Sequence, residues 1–345
     1  MSADDEVIFE RRGALGLITL NRPKALNALT HGMCLAVKTQ LDEWVRDSAI
    51  HCVAIRGSGD RAFCAGGDIR ALYESGRAGT PYAFEFYRDE YRLNATIKHF
   101  SKPYVALLHG IVMGGGVGVS VHGSHRIADE SAVFAMPETG IGLFPDVGGS
   151  YFLPRCPGEI GMFLALTGTR LKTSDMLDAG IATHHVPAQQ TGSLLDRLEN
   201  GVQPEAAIRE LAAPLARGTL AARRTEIDMA FARPSVEHIL ETLESSDNAW
   251  CQEVGSTMRL KSPTSQKVTY RQIRGGKSMT FDECMRTEFR MVNRVIAGHD
   301  FYEGVRATII DKDNTPAWKP PTLDAVGTPD VESYFAPLGE KELVL

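Results

Sequence analysis

The sequence has few cysteines and no pattern that would join them. Its six cysteines lie far apart and include no Cys-x-x-Cys pair, which argues against both a zinc ribbon and a disulfide scaffold. No apolar run approaches the roughly 18 residues of a membrane-spanning helix. The first ten residues, MSADDEVIFE, are too acidic and polar for a signal or transit peptide. We therefore expect reduced thiols and a cytoplasmic protein.

Basic residues are also in short supply. The chain has 37 Lys and Arg against 43 Asp and Glu, which gives a net charge of −6, whereas nucleic-acid-binding domains usually carry a basic surplus. No run of five like charges compensates for this balance. Apolar residues make up 43% of the 345 residues, enough for a substantial core. We expect neither nucleic acid nor membrane as a partner.

Several cofactor motifs are incomplete. The glycine run that starts at Gly114 has Val119 where a dinucleotide loop needs its last glycine. The segment Gly276-Lys277-Ser278 ends like a phosphate-binding loop, but Arg271 occupies the position of the first glycine. No His-Glu-x-x-His motif occurs. The sequence therefore predicts no metal and no nucleotide cofactor.

The first half of the chain alternates between short strands and helices. Val7–Arg12 and Leu15–Leu20 are predicted to form a hairpin around Gly13, and Thr30 is predicted to cap a helix that runs to about Arg46. Further predicted strands are Cys52–Arg56, Tyr104–His109, Arg126–Ala128, Ala132–Phe134 and Ile181–Val186. This pattern indicates an α/β fold in which strand-strand-helix units recur.

The second half has helical periodicity and few strand signals. The predicted helical stretches are 193–215, 235–260, 262–273 and 279–297. We therefore predict an α/β core over residues 1–200. A helical region over residues 201–345 is expected to pack on that core or to mediate oligomerisation.

Two glycine-rich segments each connect a predicted strand to a predicted helix. They are Arg61–Arg70 and His109–Gly118. Such turns leave backbone N–H groups available at a helix start, and two of them brought together would form an oxyanion hole. Tight helix packing at small residues explains either segment alone equally well.

Together with Leu20–Leu29, these segments resemble the crotonase (enoyl-CoA hydratase/isomerase) superfamily over roughly residues 7 to 190. The resemblance implies a spiral of β-β-α repeats in which the N–H groups of Gly67 and Gly115 hold the thioester oxygen of an acyl-CoA. No cofactor is implied beyond the coenzyme A of the substrate. The residues implied in coenzyme A contact are Arg22, Lys24, Ala25, Ala65, Gly66 and Asp68.

The carboxylates depart from the hydratase pattern of that superfamily. Gly118 stands where hydratases place one catalytic glutamate, while Glu138 matches their second glutamate and Asp146 replaces a residue that is usually small. This pattern resembles instead the branch that hydrolyses 3-hydroxyisobutyryl-CoA in valine breakdown. The resemblance then extends over nearly the whole chain and makes Glu90, Gly115, Glu138 and Asp146 the substrate-binding residues.

The resemblance implies Glu138 as either the nucleophile or the base that activates water. Asp146 would position water or the substrate hydroxyl. Other crotonase-type reactions, such as hydration or isomerisation, remain alternatives, as do a thiol hydrolase that uses Cys64 and a non-catalytic acyl-CoA-binding protein. A related hydroxyacyl-CoA and a homo-oligomer also stay open.

Overall fold

The computed structural model describes residues 6–345, which divide into two compact units. The first unit contains the described residues up to Asp68, together with Asp89–Ala135 and Arg170–Ala221. The second contains Ile69–Arg88, Met136–Thr169 and Ala222–Leu345. These units are defined by contacts in space. The predicted division of the chain at residue 200, which is based on composition, stays a prediction.

The first unit contains two sheets. Their strands are β1 (Val7–Arg12), β2 (Leu15–Leu20), β3 (Cys52–Gly57), β4 (Ala62–Cys64), β5 (Tyr104–Leu108), β6 (Ile111–Met113), β7 (His125–Ala128), β8 (Val133–Ala135), β9 (Leu171–Lys172) and β10 (His184–His185). One sheet has the order β1-β2-β3-β5-β7-β10 and is parallel except for the β1–β2 pair. The other has the order β4-β6-β8-β9 and is parallel except for the β8–β9 pair.

The predicted hairpin and the helix after it are both confirmed. Strand β2 is buried at all six positions, as expected for a strand with neighbours on both sides, and Gly13 takes the positive φ (54°) that its tight turn needs. The hydroxyl of Thr30 accepts a hydrogen bond from the N–H of Met33 and caps the helix His31–Trp44. The other helices of this unit are Gly115–Gly118, Thr173–Asp178, Thr191–Glu199 and Pro204–Leu211. Helix Tyr82–Lys98 is divided between the units after Arg88.

The described residues of the second unit contain helices and no strand. The helices are Ile69–Ala78, Gly149–Phe152, Ile160–Thr167, Arg224–Phe231, Val236–Glu244, Ala249–Arg259, Pro263–Gly276, Phe281–Val295, Asp300–Val305 and Thr328–Ser333. The predicted stretch 235–260 is two helices, because the side chain of Asn248 accepts from the N–H of Trp250 and starts a new one. Within residues 6–345, none of the helices has the length and apolar character to cross a bilayer.

Some strands differ from their predicted bounds. Strands β4 and β6 lie inside the two glycine-rich segments, where the sequence shows only turns. The predicted strand Ile181–Val186 is reduced to His184–His185. A strand of three residues, such as β4 or β6, is too short to show the alternation of apolar and polar residues that predicts a strand. Such strands are defined by their pairing with a neighbouring strand.

Candidate active site

Two clusters contain the residues that the sequence singles out for catalysis. The amide cluster consists of Gly67, Gly115 and Glu90 and lies in the first unit. The carboxylate cluster consists of Glu138 and Asp146 and lies in the second. Each is described within its own unit.

The amide cluster begins with the loop that follows β4. Gly66 adopts a φ of +124°, a conformation that side chains rarely tolerate, and thereby turns the chain toward the next helix. Leu29 pairs with this loop, because its N–H donates to the Gly66 carbonyl (2.8 Å) and its carbonyl accepts from the Asp68 N–H (2.9 Å). This pairing does not use the N–H of Gly67.

The second amide of this cluster belongs to Gly115, the first residue of the helix Gly115–Gly118. A Cβ atom placed on Gly115 would lie 3.2 Å from the amide nitrogen of Gly67 and 2.5 Å from Oε1 of Glu90. The two glycine turns therefore converge, and the buried carboxyl of Glu90 lies beside them. Two backbone amides this close, one at the start of a helix and one just before a helix, fit the donor arrangement of an oxyanion hole.

The residues expected to contact coenzyme A lie next to the amide cluster. The guanidinium of Arg22 donates to the carboxylate of Asp68 (3.1 Å) and to the carbonyl of Ala28 (2.7 Å), so it braces the loop. Ala65 is tied to the same segment, because its N–H donates to the Leu26 carbonyl (3.0 Å). Lys24 and Ala25 are exposed on the turn Pro23–Ala25. Arg22 thus has a structural role within the chain, while Lys24 is the exposed cation beside it.

The carboxylate cluster lies on two consecutive turns. Glu138 starts the 3-10 turn Glu138–Ile141, and Asp146 lies just before the helix Gly149–Phe152. Both side chains are buried, with exposed fractions of 4% each. Oε2 of Glu138 has no hydrogen-bond partner within the part of the chain that the structure describes. A buried carboxylate oxygen without a partner is unfavourable for folding and therefore indicates a functional role.

The environment of Glu138 favours its protonated form. Burial raises the pKa of Glu138 well above its usual value, and the negative charge of Asp146 raises it further. The cation of Lys261 opposes this rise, while burial lowers the pKa of Lys261 itself. Such coupled shifts occur where a carboxylate exchanges protons near neutral pH.

The Asp146→Asn variant is expected to move the acid limb of the kcat/KM profile to lower pH. The role of nucleophile or base that the resemblance implies for Glu138 requires its ionised form, so activity should fall as pH drops through the pKa of that carboxyl. Removal of the negative charge of Asp146 lowers this pKa. The profile, measured by thiol release from about pH 4 to about pH 9, would contradict the coupling if its acid limb stayed in place. Glu159→Gln, which alters an acid paired with Arg274 in the same unit, should leave the limb unmoved.

Sequence reasoning missed two charged residues near the carboxylate cluster. Lys261 lies beside the turn of Glu138, since its Nζ would be 3.3 Å from a Cβ atom on Gly140. Glu288 is fully buried, and its charge acts on the same region as that of Asp146. A signal for Glu288 was available, because it falls on the apolar face of the helix Phe281–Val295, where an unpaired acid would be unfavourable.

The thiol of Cys64 is a poor nucleophile in this structure. It is fully buried, and burial raises its pKa to about 12, so almost no thiolate exists at neutral pH. Its Sγ donates to the carbonyl of Gly66 (3.5 Å) and thus contributes to the packing of the oxyanion loop. Among residues 6–345, no group of three or more His, Cys, Asp or Glu side chains is arranged to hold a metal ion. That no cofactor is needed stays a prediction.

Comparisons with known proteins give a consistent result. The profile of the enoyl-CoA hydratase/isomerase family matches residues 15–335. A Danio rerio protein named 3-hydroxyisobutyryl-CoA hydrolase, mitochondrial, is 48% identical over 99% of this chain and 92% of its own length. The Homo sapiens protein of the same name is 45% identical over 99% of this chain and 91% of its own length.

Solved structures of similar length carry different names. A carnitinyl-CoA dehydratase from Mycobacterium thermoresistibile is 38% identical, with a TM-score of 0.94 over 99% of this chain and 98% of the other. An enoyl-CoA hydratase from Rhodobacter sphaeroides 2.4.1 is 40% identical, with a TM-score of 0.92 over 99% of this chain and 100% of the other.

Proposed function

Since the chain belongs to the enoyl-CoA hydratase/isomerase family, we propose that it hydrolyses a short-chain hydroxyacyl-CoA thioester, with 3-hydroxyisobutyryl-CoA as the first choice of substrate. The crotonase-like α/β fold expected from the sequence is confirmed by the close structural similarity to two family members. The relatives named 3-hydroxyisobutyryl-CoA hydrolase match this chain over 92% and 91% of their own length, which supports the proposal.

The observation that carries this proposal is the buried pair of Glu138 and Asp146, in which the charge of Asp146 helps to raise the pKa of Glu138. By resemblance to the superfamily, the two-glutamate hydration route needs a carboxylate at the position of Gly118, and glycine supplies none. A single reactive carboxylate with a second acid that adjusts its pKa suits acyl transfer to water.

In the proposed reaction, the thioester oxygen accepts hydrogen bonds from the N–H groups of Gly67 and Gly115. The carboxylate of Glu138 attacks the carbonyl carbon, the C–S bond breaks, and coenzyme A leaves as a thiolate. Water then cleaves the resulting mixed anhydride, which releases the hydroxy acid and restores Glu138. If Glu138 instead acts as the base, it takes a proton from water and no covalent intermediate forms. Mass analysis of the quenched enzyme in a single turnover separates the routes.

Hydration of an enoyl-CoA is the second candidate, because the two solved relatives are named a hydratase and a dehydratase at about 40% identity. Hydration leaves the thioester intact, whereas hydrolysis releases a free thiol. Thiol release and the absorbance of the enoyl thioester, followed in one reaction, therefore separate the two activities.

Hydroxylated thioesters are expected to be the preferred substrates. With 3-hydroxyisobutyryl-CoA, kcat/KM should exceed that with isobutyryl-CoA by about 100-fold or more, because a site that hydrogen-bonds a hydroxyl rejects analogues that lack it. Glu90→Gln, next to the amide cluster, should reduce this ratio mainly through the hydroxylated substrate. Equal rates with both substrates would contradict the proposed specificity. A screen that includes 3-hydroxypropionyl-CoA tests the nearest alternative.

The compartment and the assembly belong to the same proposal. The animal relatives are named mitochondrial, while the sequence favours a cytoplasmic enzyme, and fractionation of the source cells decides between the two. A homo-oligomer stays a prediction that light scattering of the purified chain tests.

A further inference from the structure

The side chain of Glu288 is anchored to the turn that carries Asp146. Its Oε2 accepts from the N–H of Gly148 (2.8 Å), and its Oε1 accepts from the N–H of Ser150 (2.8 Å). The hydroxyl of Ser150 also donates to Oε1, over a short 2.5 Å. One carboxylate thus receives three hydrogen bonds from residues that lie two and four positions after Asp146.

The backbone of this turn is strained. Val147 has a φ of +50°, and Gly148 has a φ of +91°. The left-handed region is a genuine outlier for a β-branched residue such as valine, and strain of this kind persists only where surrounding contacts hold it. Successive N–H groups in such a turn form a concave site for an anion, and the carboxylate of Glu288 fills it.

A second side chain braces the same turn from the helix Pro263–Gly276. The amide nitrogen of Gln272 donates to the carbonyl of Pro145 (2.7 Å) and to the hydroxyl of Ser150 (2.9 Å). The turn is therefore held on both sides of Asp146. The hydroxyl of Ser150 connects the two braces, since it accepts from Gln272 and donates to Glu288.

The burial of Glu288 is unfavourable in itself. Burial raises the pKa of Glu288 to about 8 and the charge of Asp146 adds to the rise, while the hydrogen bonds from Ser150 and Gly148 oppose it. An apolar side chain at this position would leave the N–H groups of Gly148 and Ser150 without their acceptor. The acid therefore stabilises this particular conformation of the turn.

We propose that Glu288 is a positioning residue, which holds the strained turn Asp146–Ser150 so that the carboxylate of Asp146 keeps its orientation beside Glu138. This inference rests on the proposed function and adds to it a residue that need not contact the substrate. We therefore expect Glu288 to affect the reaction rate only through the position of Asp146.

The test is a double-mutant cycle between Glu288→Gln and Asp146→Asn. An amide at position 288 presents an NH2 group to one of the two backbone N–H donors in either orientation, so the turn loses at least one anchor. We expect kcat to fall about 10- to 100-fold in Glu288→Gln, with KM within about threefold. In the Asp146→Asn background, the same change should reduce kcat by less than about threefold, because the group that it positions is gone.

Each outcome of the cycle decides a separate question. Equal losses in both backgrounds would overturn the inference, as would an unchanged kcat in Glu288→Gln, while thioester hydrolysis by the unmodified enzyme would still support the proposed function. Absence of thiol release from the unmodified enzyme would instead remove the proposed function itself. Asp175→Asn is the matched control, because Asp175 is a buried acid that accepts from the N–H of Leu220 (2.7 Å) and lies in neither cluster. It should leave kcat within about threefold.

If Glu288→Gln does not fold, Gln272→Met removes the other brace with little change in volume and should show the same dependence on Asp146. If Gln272→Met lowered kcat by the same factor with and without Asp146→Asn, the inference that this turn acts by positioning Asp146 would be overturned.

Discussion

The Glu138→Gln variant is expected to hydrolyse 3-hydroxyisobutyryl-CoA about 10⁴-fold more slowly than the unmodified enzyme. An amide has nearly the shape of the carboxylate, but it can neither attack the thioester carbon nor take a proton from water. The loss corresponds to roughly 5 kcal/mol of transition-state stabilisation, at about 1.4 kcal/mol per factor of ten. Single-turnover thiol release with the variant in excess measures it without interference from product release.

The same variant should bind coenzyme A normally and should be at least as stable as the unmodified enzyme. Because the pKa of Glu138 is raised by burial, its contribution to stability is fully present below the pKa of an unfolded glutamate and is lost as pH rises through its folded pKa. The thermal midpoint of Glu138→Gln should therefore match that of the unmodified enzyme in acid and exceed it in base.

A matched control guards this interpretation. Glu159→Gln changes a partly buried acid of the same unit, whose two oxygens accept from the guanidinium of Arg274 at 3.0 and 2.8 Å. It should retain kcat within about threefold while losing some stability, which is the reverse of the pattern at position 138. Full hydrolysis by Glu138→Gln would show that Glu138 takes no part in the reaction. It would contradict the catalytic role that the family resemblance implies for this residue.

The sequence could predict those parts of the fold that depend on short-range patterns. The hairpin around Gly13 follows from two runs of alternating residues, and the helix start at Thr30 follows from a side chain that reaches an N–H three residues on. The glycine turns before Ile69 and at Gly115 could also be predicted, because the glycines lie next to the helix start that they precede. Each of these features is determined within about ten residues of chain.

The parts that the sequence could not predict depend on distant partners. Strand β4 has three residues, and it is a strand because it pairs with β6, about 50 residues further on. Glu288 contacts Gly148, which lies 140 residues away in sequence. The helical periodicity around Glu288 could place it on a buried face, but it could not indicate which residue Glu288 contacts. Lys261 carried no pattern at all, and only its burial beside Gly140 marks it.

The candidate site shows the same contrast. Glu138 and Asp146 are eight positions apart, and resemblance to a family was enough to single them out. The convergence of Gly67 and Gly115 was implied only by the family resemblance, because neither turn by itself indicates that it will meet the other. The pKa of Glu138 is raised mainly by burial. The burial of a single residue cannot be read from the composition of the chain.

The Gly115→Ala variant tests the convergence of the two amides directly. Its methyl group would lie 2.5 Å from Oε1 of Glu90 and 3.2 Å from the nitrogen of Gly67, so the end of the Glu90 side chain must move and the nitrogen of Gly67 must shift slightly. Loss of one oxyanion donor typically reduces kcat by about 10²- to 10³-fold. Alanine keeps the N–H group but displaces the pair, so we expect a reduction in kcat/KM of up to that size. Displacement of Glu90 should also reduce the preference for hydroxylated substrates.

Gly192→Ala is the control for the glycine change itself, because a Cβ atom at Gly192 in the helix Thr191–Glu199 would meet nothing within 4 Å. Alanine there should stabilise the helix by up to about 1 kcal/mol and leave kcat/KM unchanged. If Gly115→Ala retained full activity with an ordinary thermal midpoint, the close packing of Gly115 against Gly67 and Glu90 would not be needed to bind the thioester oxygen. If instead it lost activity together with the fold, Glu90→Asp Gly115→Ala would separate the two effects, because the shorter side chain removes the steric clash with the added methyl group. Lower activity of the folded double variant than of Glu90→Asp alone would assign the loss to the oxyanion hole.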